Sequence, residues 1–254
     1  MTGLKQRLIN GQAVIGTFLS LGNAITAEII SNAGFDWVII DLEHGVGAEN
    51  DVVLQLMALK NAGVAAIIRV ESYQRQRIQR VLDLGADGIM CPKVDSPEEA
   101  AQAVQAMHYP PGGNRGVAKM TRATEYGARF DQYLNTTHER LLGVVQIETL
   151  KALEHLEAIA AIREVDVLFI GPSDLSMALG VFGQTSHPLF TAAVDRIISV
   201  AKMANKQVGI LLPDPSEVKQ YYRRGIHFIA CGTDASFLSK GAKQAAAAMR
   251  DALV

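Results

Sequence analysis

Four apolar runs in this 254-residue chain end in polar side chains, and each ending is suited to chemistry. Trp37-Val38-Ile39-Ile40 leads into Asp41-Leu42-Glu43-His44, and Ala65–Ile68 ends on Arg69. Val144-Val145 leads into Gln146-Ile147-Glu148-Thr149, and Phe169-Ile170 into Gly171-Pro172-Ser173-Asp174-Leu175-Ser176. Glu148 and Asp174 are carboxylates without thiolate or imidazole company. Such a pair suits a hard divalent ion that keeps positions open for water or substrate. The plainer alternative is that Asp174 caps a helix and Glu148 meets a surface base. His44 follows two acids, either of which could hold its tautomer for proton transfer. Arg69 must find a partner, either a substrate oxyanion or Glu43.

Lys93, in Met90-Cys91-Pro92-Lys93-Val94, is a separate candidate. A lysine inside such a mouth can form a Schiff base with a keto substrate; otherwise it points outward or pairs with Asp95 or Glu148. His108, His138, His155, His187 and His227 read as structural or solvent-exposed. The clusters Arg75, Arg77, Arg80 and Tyr221-Tyr222-Arg223-Arg224 read as solvated or interface faces.

The elements that must position these groups follow from the apolar pattern. Eight short runs recur: Val14–Leu19, Trp37–Asp41, Ala65–Val70, Gly88–Val94, Leu141–Ile147, Val167–Ile170, Gln207–Leu212 and Phe228–Cys231. They repeat about every 32 residues, the size of a βα unit. Apolar residues at consecutive positions mark strands buried on both faces, hence a parallel sheet. Helical patterns lie between them, at Asn50–Asn61, Arg75–Leu84, Ser96–Met107, Ala192–Asn205 and Ser236–Leu253. The pattern predicts a (β/α)₈ barrel over one domain, residues 1–254, with an open doubly wound sheet as the alternative. In a barrel the four polar endings converge on the C-terminal mouth, with Gln146 and Glu148 on one strand face. Tyr109–Arg140 breaks the rhythm and reads as an extension covering the site or packing on a neighbouring subunit.

Composition narrows the setting. With 24 basic and 26 acidic residues the net charge is −2, which offers no broad field for nucleic acid or an anionic membrane. Cys91 and Cys231 are too few for a disulfide framework. The start of the chain has no apolar signal region and no stretch reaches membrane-spanning length, so a cytoplasmic protein is expected.

Taken together, Phe35-Asp36-Trp37-Val38-Ile39-Ile40-Asp41-Leu42-Glu43-His44, Arg115-Gly116-Val117, Gln146-Ile147-Glu148-Thr149 and Phe169–Ser176 resemble the signatures of the HpcH/HpaI pyruvate aldolases. This group includes 4-hydroxy-2-oxoheptanedioate, 2-keto-3-deoxyglucarate and 2-keto-3-deoxy-rhamnonate aldolases. The resemblance runs from Gly16 to Cys231. It implies a barrel whose last helix is exchanged between subunits, usually in a homohexamer with sites at subunit interfaces. It implies Glu148 and Asp174 as ligands of Mg²⁺, Mn²⁺ or Co²⁺, His44 as acid/base and Arg69 as the enolate-stabilising cation. Gln146 would contact substrate, and Asp83 would orient the histidine of a neighbouring subunit. Backbone N–H groups of Ser173 and Asp174 would hold the pyruvate carboxylate. Two positions depart from the family pattern: Lys93 where methionine is usual, and His108 where arginine is usual.

The expected reaction is reversible cleavage of a 4-hydroxy-2-oxo acid to pyruvate and an aldehyde through a metal-stabilised enolate. Three alternatives are a Schiff-base aldolase using Lys93, a carbon–carbon lyase acting on a CoA thioester, and a non-catalytic barrel that binds a keto acid.

Overall fold

The computed structural model describes residues 3–60 and 62–253. Eight parallel strands close into a barrel in chain order, so the closed form holds and the open sheet does not. The strands are β1 (Val14–Leu19), β2 (Trp37–Asp41), β3 (Ala65–Arg69), β4 (Gly88–Cys91), β5 (Leu142–Ile147), β6 (Val167–Ile170), β7 (Gln207–Leu212) and β8 (Phe228–Thr233). The fourth run stops earlier than the apolar pattern predicts. Pro92 cannot donate to a ladder and Lys93 has φ 49°, a left-handed turn that ends the strand.

Alternation along each strand divides the core. Inward residues such as Phe18, Trp37, Ile67, Val144, Phe169 and Phe228 fill the barrel. Outward residues such as Ile40, Ile68, Val145, Leu168 and Ile210 pack against the helices. The stacked rings of Trp37 and Phe228, with centroids 3.8 Å apart, fit because β1 and β7 supply glycine opposite the aromatics. A Cβ at Gly209 would sit 2.8 Å from Phe228, and one at Gly16 would run into the Trp37 ring. Helix α1 (Leu4–Ile9) closes the N-terminal end by burying Leu8 among the inward residues.

The helices α2 (Ala24–Ser31), α3 (Glu49–Leu59), α4 (Arg75–Asp83) and α5 (Pro97–Gln105) occupy the first half of the outer layer. Ser96 caps α5 by accepting from Glu99 N, with Pro97 in the first turn. The expected end of the helix before β3, Asn61, lies outside the described residues. The segment Tyr109–Arg140 forms a short 3₁₀ turn and α6 (Phe130–Arg140). It does not lie over the C-terminal mouth of its own barrel. Its ties are Gly116 N to Gln79, Arg122 to the Leu84 carbonyl and His138 O to Lys5, which hold it along α4 and α1. The cause is Arg115, which buries its charge against Asp83 at 2.6 Å and so pulls the segment towards the lower end of α4.

The second half carries α7 (Leu150–Glu154), α8 (Leu156–Ala160), α9 (Pro172–Ala178), α10 (Pro188–Met203), α11 (Val218–Arg223) and α12 (Asp234–Asp251). Helix α12 differs from the rest: Asp234 is buried and Ala235 partly so, and every residue from Ser236 to Asp251 is exposed. No helix among the described residues is long and apolar enough to cross a membrane.

Candidate active site

The polar strand endings converge as the strand pitch requires. Asp41 and Arg69 are register partners on β2 and β3, and Gln146 is the penultimate residue of β5. Arg69 donates from Nε to Asp41 Oδ1 at 2.9 Å and from a terminal nitrogen to Oδ2 at 2.7 Å. Its other terminal nitrogen meets Glu43 at 3.0 Å and Gln146 Oε1 at 3.4 Å. Phe18 lies beneath the guanidinium, 5.2 Å from its ring centroid. Burial opposes the charge of Arg69, but the hydrogen bonds and negative charge of Asp41, Glu43 and Glu148 outweigh it and hold its pKa above the usual value.

Glu148 sits just beyond β5 and is only 2% exposed. One carboxylate oxygen accepts from Lys93 N at 2.8 Å, the other from Gln146 Nε2 at 2.8 Å. Thr149 caps α7 by accepting from Ala152 N, which turns the chain sharply after Glu148. Burial pushes the Glu148 pKa up to about 7; the Lys93 N–H opposes this, Asp174 and Glu43 add to it, and Arg69 opposes it. Gly171 makes room for this carboxylate, since a Cβ there would collide with Glu148 Oε2 and stand 3.1 Å from its Cβ.

Asp174 and Ser173 occupy the first turn of α9 and are exposed. Asp174 makes no hydrogen bond or ion pair among the described residues. Amides in the first helical turn have no intrahelical acceptor, so they are available to a ligand carboxylate. His44 stands at the same mouth with its side chain 65% exposed and Nε2 3.8 Å from Glu43. Asp83 is not brought to this mouth. It ends α4 at the opposite end of the barrel, paired with Arg115, so one chain alone does not join it to His44.

The donor set fits a divalent cation. Asp41, Glu43, Glu148 and Asp174 set four carboxylates against the single guanidinium of Arg69, an excess of negative charge that a low-dielectric mouth tolerates poorly. Among the described residues no three His, Cys, Asp or Glu side chains gather as a complete metal cage. Two carboxylates with open positions are the arrangement of a site that also takes substrate oxygens.

Two participants escaped the sequence reading. Asp41 stood out only as a neighbour of His44, whereas its main partner is Arg69, through the register of β2 on β3. The Lys93 backbone, and not its ammonium, engages Glu148, and the signal for that was the Pro92-Lys93 turn. The Lys93 ammonium is exposed and makes no ion pair among the described residues.

The chain is 39% identical over 248 residues to a hydroxypyruvate/pyruvate aldolase of Paraburkholderia phytofirmans, covering 95% of each. It is 39% identical over 230 residues to a 5-keto-4-deoxy-D-glucarate aldolase of Klebsiella pneumoniae, covering 91% of this chain and 90% of the relative. A crystal structure of a family member from Burkholderia cenocepacia superposes with TM-score 0.92 at 37% identity, covering 97% of this chain and 98% of the other. Residues 14–240 match the family profile, and with a closed barrel carrying this polar mouth the chain belongs to the HpcH/HpaI aldolase/citrate lyase family.

Proposed function

We propose that this protein catalyses reversible aldol cleavage of a 4-hydroxy-2-oxo acid to pyruvate and an aldehyde. The observation that carries this reading is the buried Glu148, bonded to Gln146 and close in charge to Asp174, at the mouth that also holds Arg69. The names of the pyruvate and 5-keto-4-deoxy-D-glucarate aldolase relatives support it. Glu148 and Asp174 would hold the divalent ion, Mg²⁺, Mn²⁺ or Co²⁺. When bound, it supplies Lewis-acid polarisation of the keto group.

The chain's own groups do the rest. First-turn amides of α9, at Ser173 and Asp174, receive the substrate carboxylate. Arg69, fixed in orientation by Asp41, directs positive charge at the oxygen where the enolate charge develops. Gln146 is locked between Arg69 and Glu148 and offers its amide to the substrate. His44 accepts the 4-hydroxyl proton as the carbon–carbon bond breaks. Protonation of the methylene carbon then yields pyruvate.

The assembly completes the site in this reading. Helix α12 leaves its own barrel, and α2 exposes Ile25 and Ile29, 66% and 64% accessible. A homohexamer with exchanged terminal helices would cover such faces and bring a neighbour's Asp83 to His44. Incubation with racemic 4-hydroxy-2-oxo acids, with pyruvate release coupled to lactate dehydrogenase, tests the reaction. Pyruvate release that EDTA abolishes and Mg²⁺ or Mn²⁺ restores is expected; release that ignores EDTA would favour Lys93 chemistry.

A further inference from the structure

A cavity lies at the N-terminal end of the barrel, opposite the mouth that holds Glu148. It encloses about 830 Å³ between α1, the starts of β5, β7 and β8, and the ends of α10 and α11. That volume is in the range of small-molecule sites. Six lysines and arginines line it against one acid, Asp166, in a chain whose net charge is −2. Three of these cations have structural employment. Lys5 pairs with Asp166 at 2.9 Å, Lys206 donates to the carbonyls of Ile162 and Arg163, and Arg224 pairs with Asp195 at 2.8 Å. The other three, Arg163, Lys202 and Arg223, are exposed, and their side chains make no hydrogen bond or ion pair among the described residues.

Basic residues commonly gather at helix C-termini, where each dipole presents roughly half a negative charge. That accounts for too little here. The ends of α8, α10 and α11 supply at most about one and a half negative charges, and Lys206 already serves the carbonyls after α8. Two or more positive charges are left to solvent, where an anion can reach them. Beside them the wall is apolar, with Ile9 and Ile198, and carries the amides of Asn205 and Gln207.

We propose that this cavity is a binding site for a small organic phosphate. Arg163, Lys202 and Arg223 would hold the dianionic phosphate and the apolar wall its carbon skeleton. A phosphomonoester carries close to two charges near neutral pH, which matches the unpartnered cations better than a monocarboxylate does. The barrel filling of Trp37, Phe169 and Phe228 separates this site from Glu148.

Thermal unfolding of the metal-replete protein with glucose 6-phosphate, and with glucose as the uncharged control, tests the proposal. The phosphate is expected to raise Tm by roughly 5–11 °C near 100 Kd, and glucose to leave it unchanged. In R163Q/K202Q/R223Q the shift should vanish and Kd by calorimetry weaken at least about tenfold, while D174N should retain both. Equal shifts in the triple variant and the wild type would overturn the proposal. So would a shift lost in D174N alone, which would locate the phosphate at the catalytic mouth, or no shift with glucose 6-phosphate in the wild type.

Discussion

Arg69 illustrates how a charge becomes a tool at this site. Two carboxylates, Asp41 and Glu43, reduce its net field, so its value lies in direction more than in charge. Arg69→Lys keeps the charge and loses the paired bonds to Asp41. It is expected to lower kcat/KM for pyruvate release by about 10²-fold or more while leaving the circular dichroism unchanged. The His44 side chain is exposed and among the described residues pairs only with Glu43, so its removal should not disturb folding. His44→Ala is expected to reduce kcat about 10²–10⁴-fold with an unchanged melting curve; turnover at the wild-type rate would remove it from the mechanism. Gly171→Ala tests the placement of Glu148 without touching a functional group. The added methyl must push the carboxylate aside, and Mn²⁺ affinity measured by calorimetry should fall. At this scale the same-face pairing of Gln146 and Glu148 was legible from strand period alone. The Asp41–Arg69 pair was not, because it depends on register between two strands 28 residues apart.

Elements hold these residues by filling the barrel with aromatic rings. Phe228 stacks on Trp37 and meets Phe169 edge-on at 6.1 Å. Phe228→Ala should cost about 3–5 kcal/mol in urea unfolding, since the closed barrel cannot collapse onto the void. The segment before β5 contributes a second, pH-dependent element. His108 is 4% exposed and stacks near His138, with centroids 4.6 Å apart. Burial, with the charges of His138, Lys5 and Arg115 behind it, pulls its pKa down to about 4. Between the ordinary value of 6.5 and about 4, the unfolded chain takes up a proton that the folded chain refuses. Stability from this group is therefore complete above pH 6.5 and is lost as pH falls towards 4, by roughly 2–3 kcal/mol. His108→Leu should shrink the difference between urea midpoints at pH 7 and pH 5; an unchanged difference would assign the acid sensitivity elsewhere. Most strands were legible because burial on both faces leaves unbroken apolar runs. The short helices α7, α8, α9 and α11 were not, since five to seven residues give too few turns for a period to emerge.

For the whole molecule, the telling feature is a helix with no barrel of its own to lie on. Asp234 anchors its start by accepting from Ser20 N, Leu21 N and the Thr26 hydroxyl, and beyond it α12 runs in solvent. A chain ending at Ala235 keeps that anchor. It is expected to elute as a smaller species by light scattering and to lose turnover if assembly completes the site. The alanine-rich stretch Gln244–Met249 lies in this exposed part of α12. The central claim concerns an enolate formed from pyruvate at the mouth of Glu148, Asp174 and Arg69. Incubation with pyruvate in D₂O, followed by loss of the methyl proton NMR signal, tests it without knowledge of the aldehyde. Exchange that requires added Mg²⁺ or Mn²⁺ and stops with EDTA is the expected result; absence of exchange with metal present would contradict it.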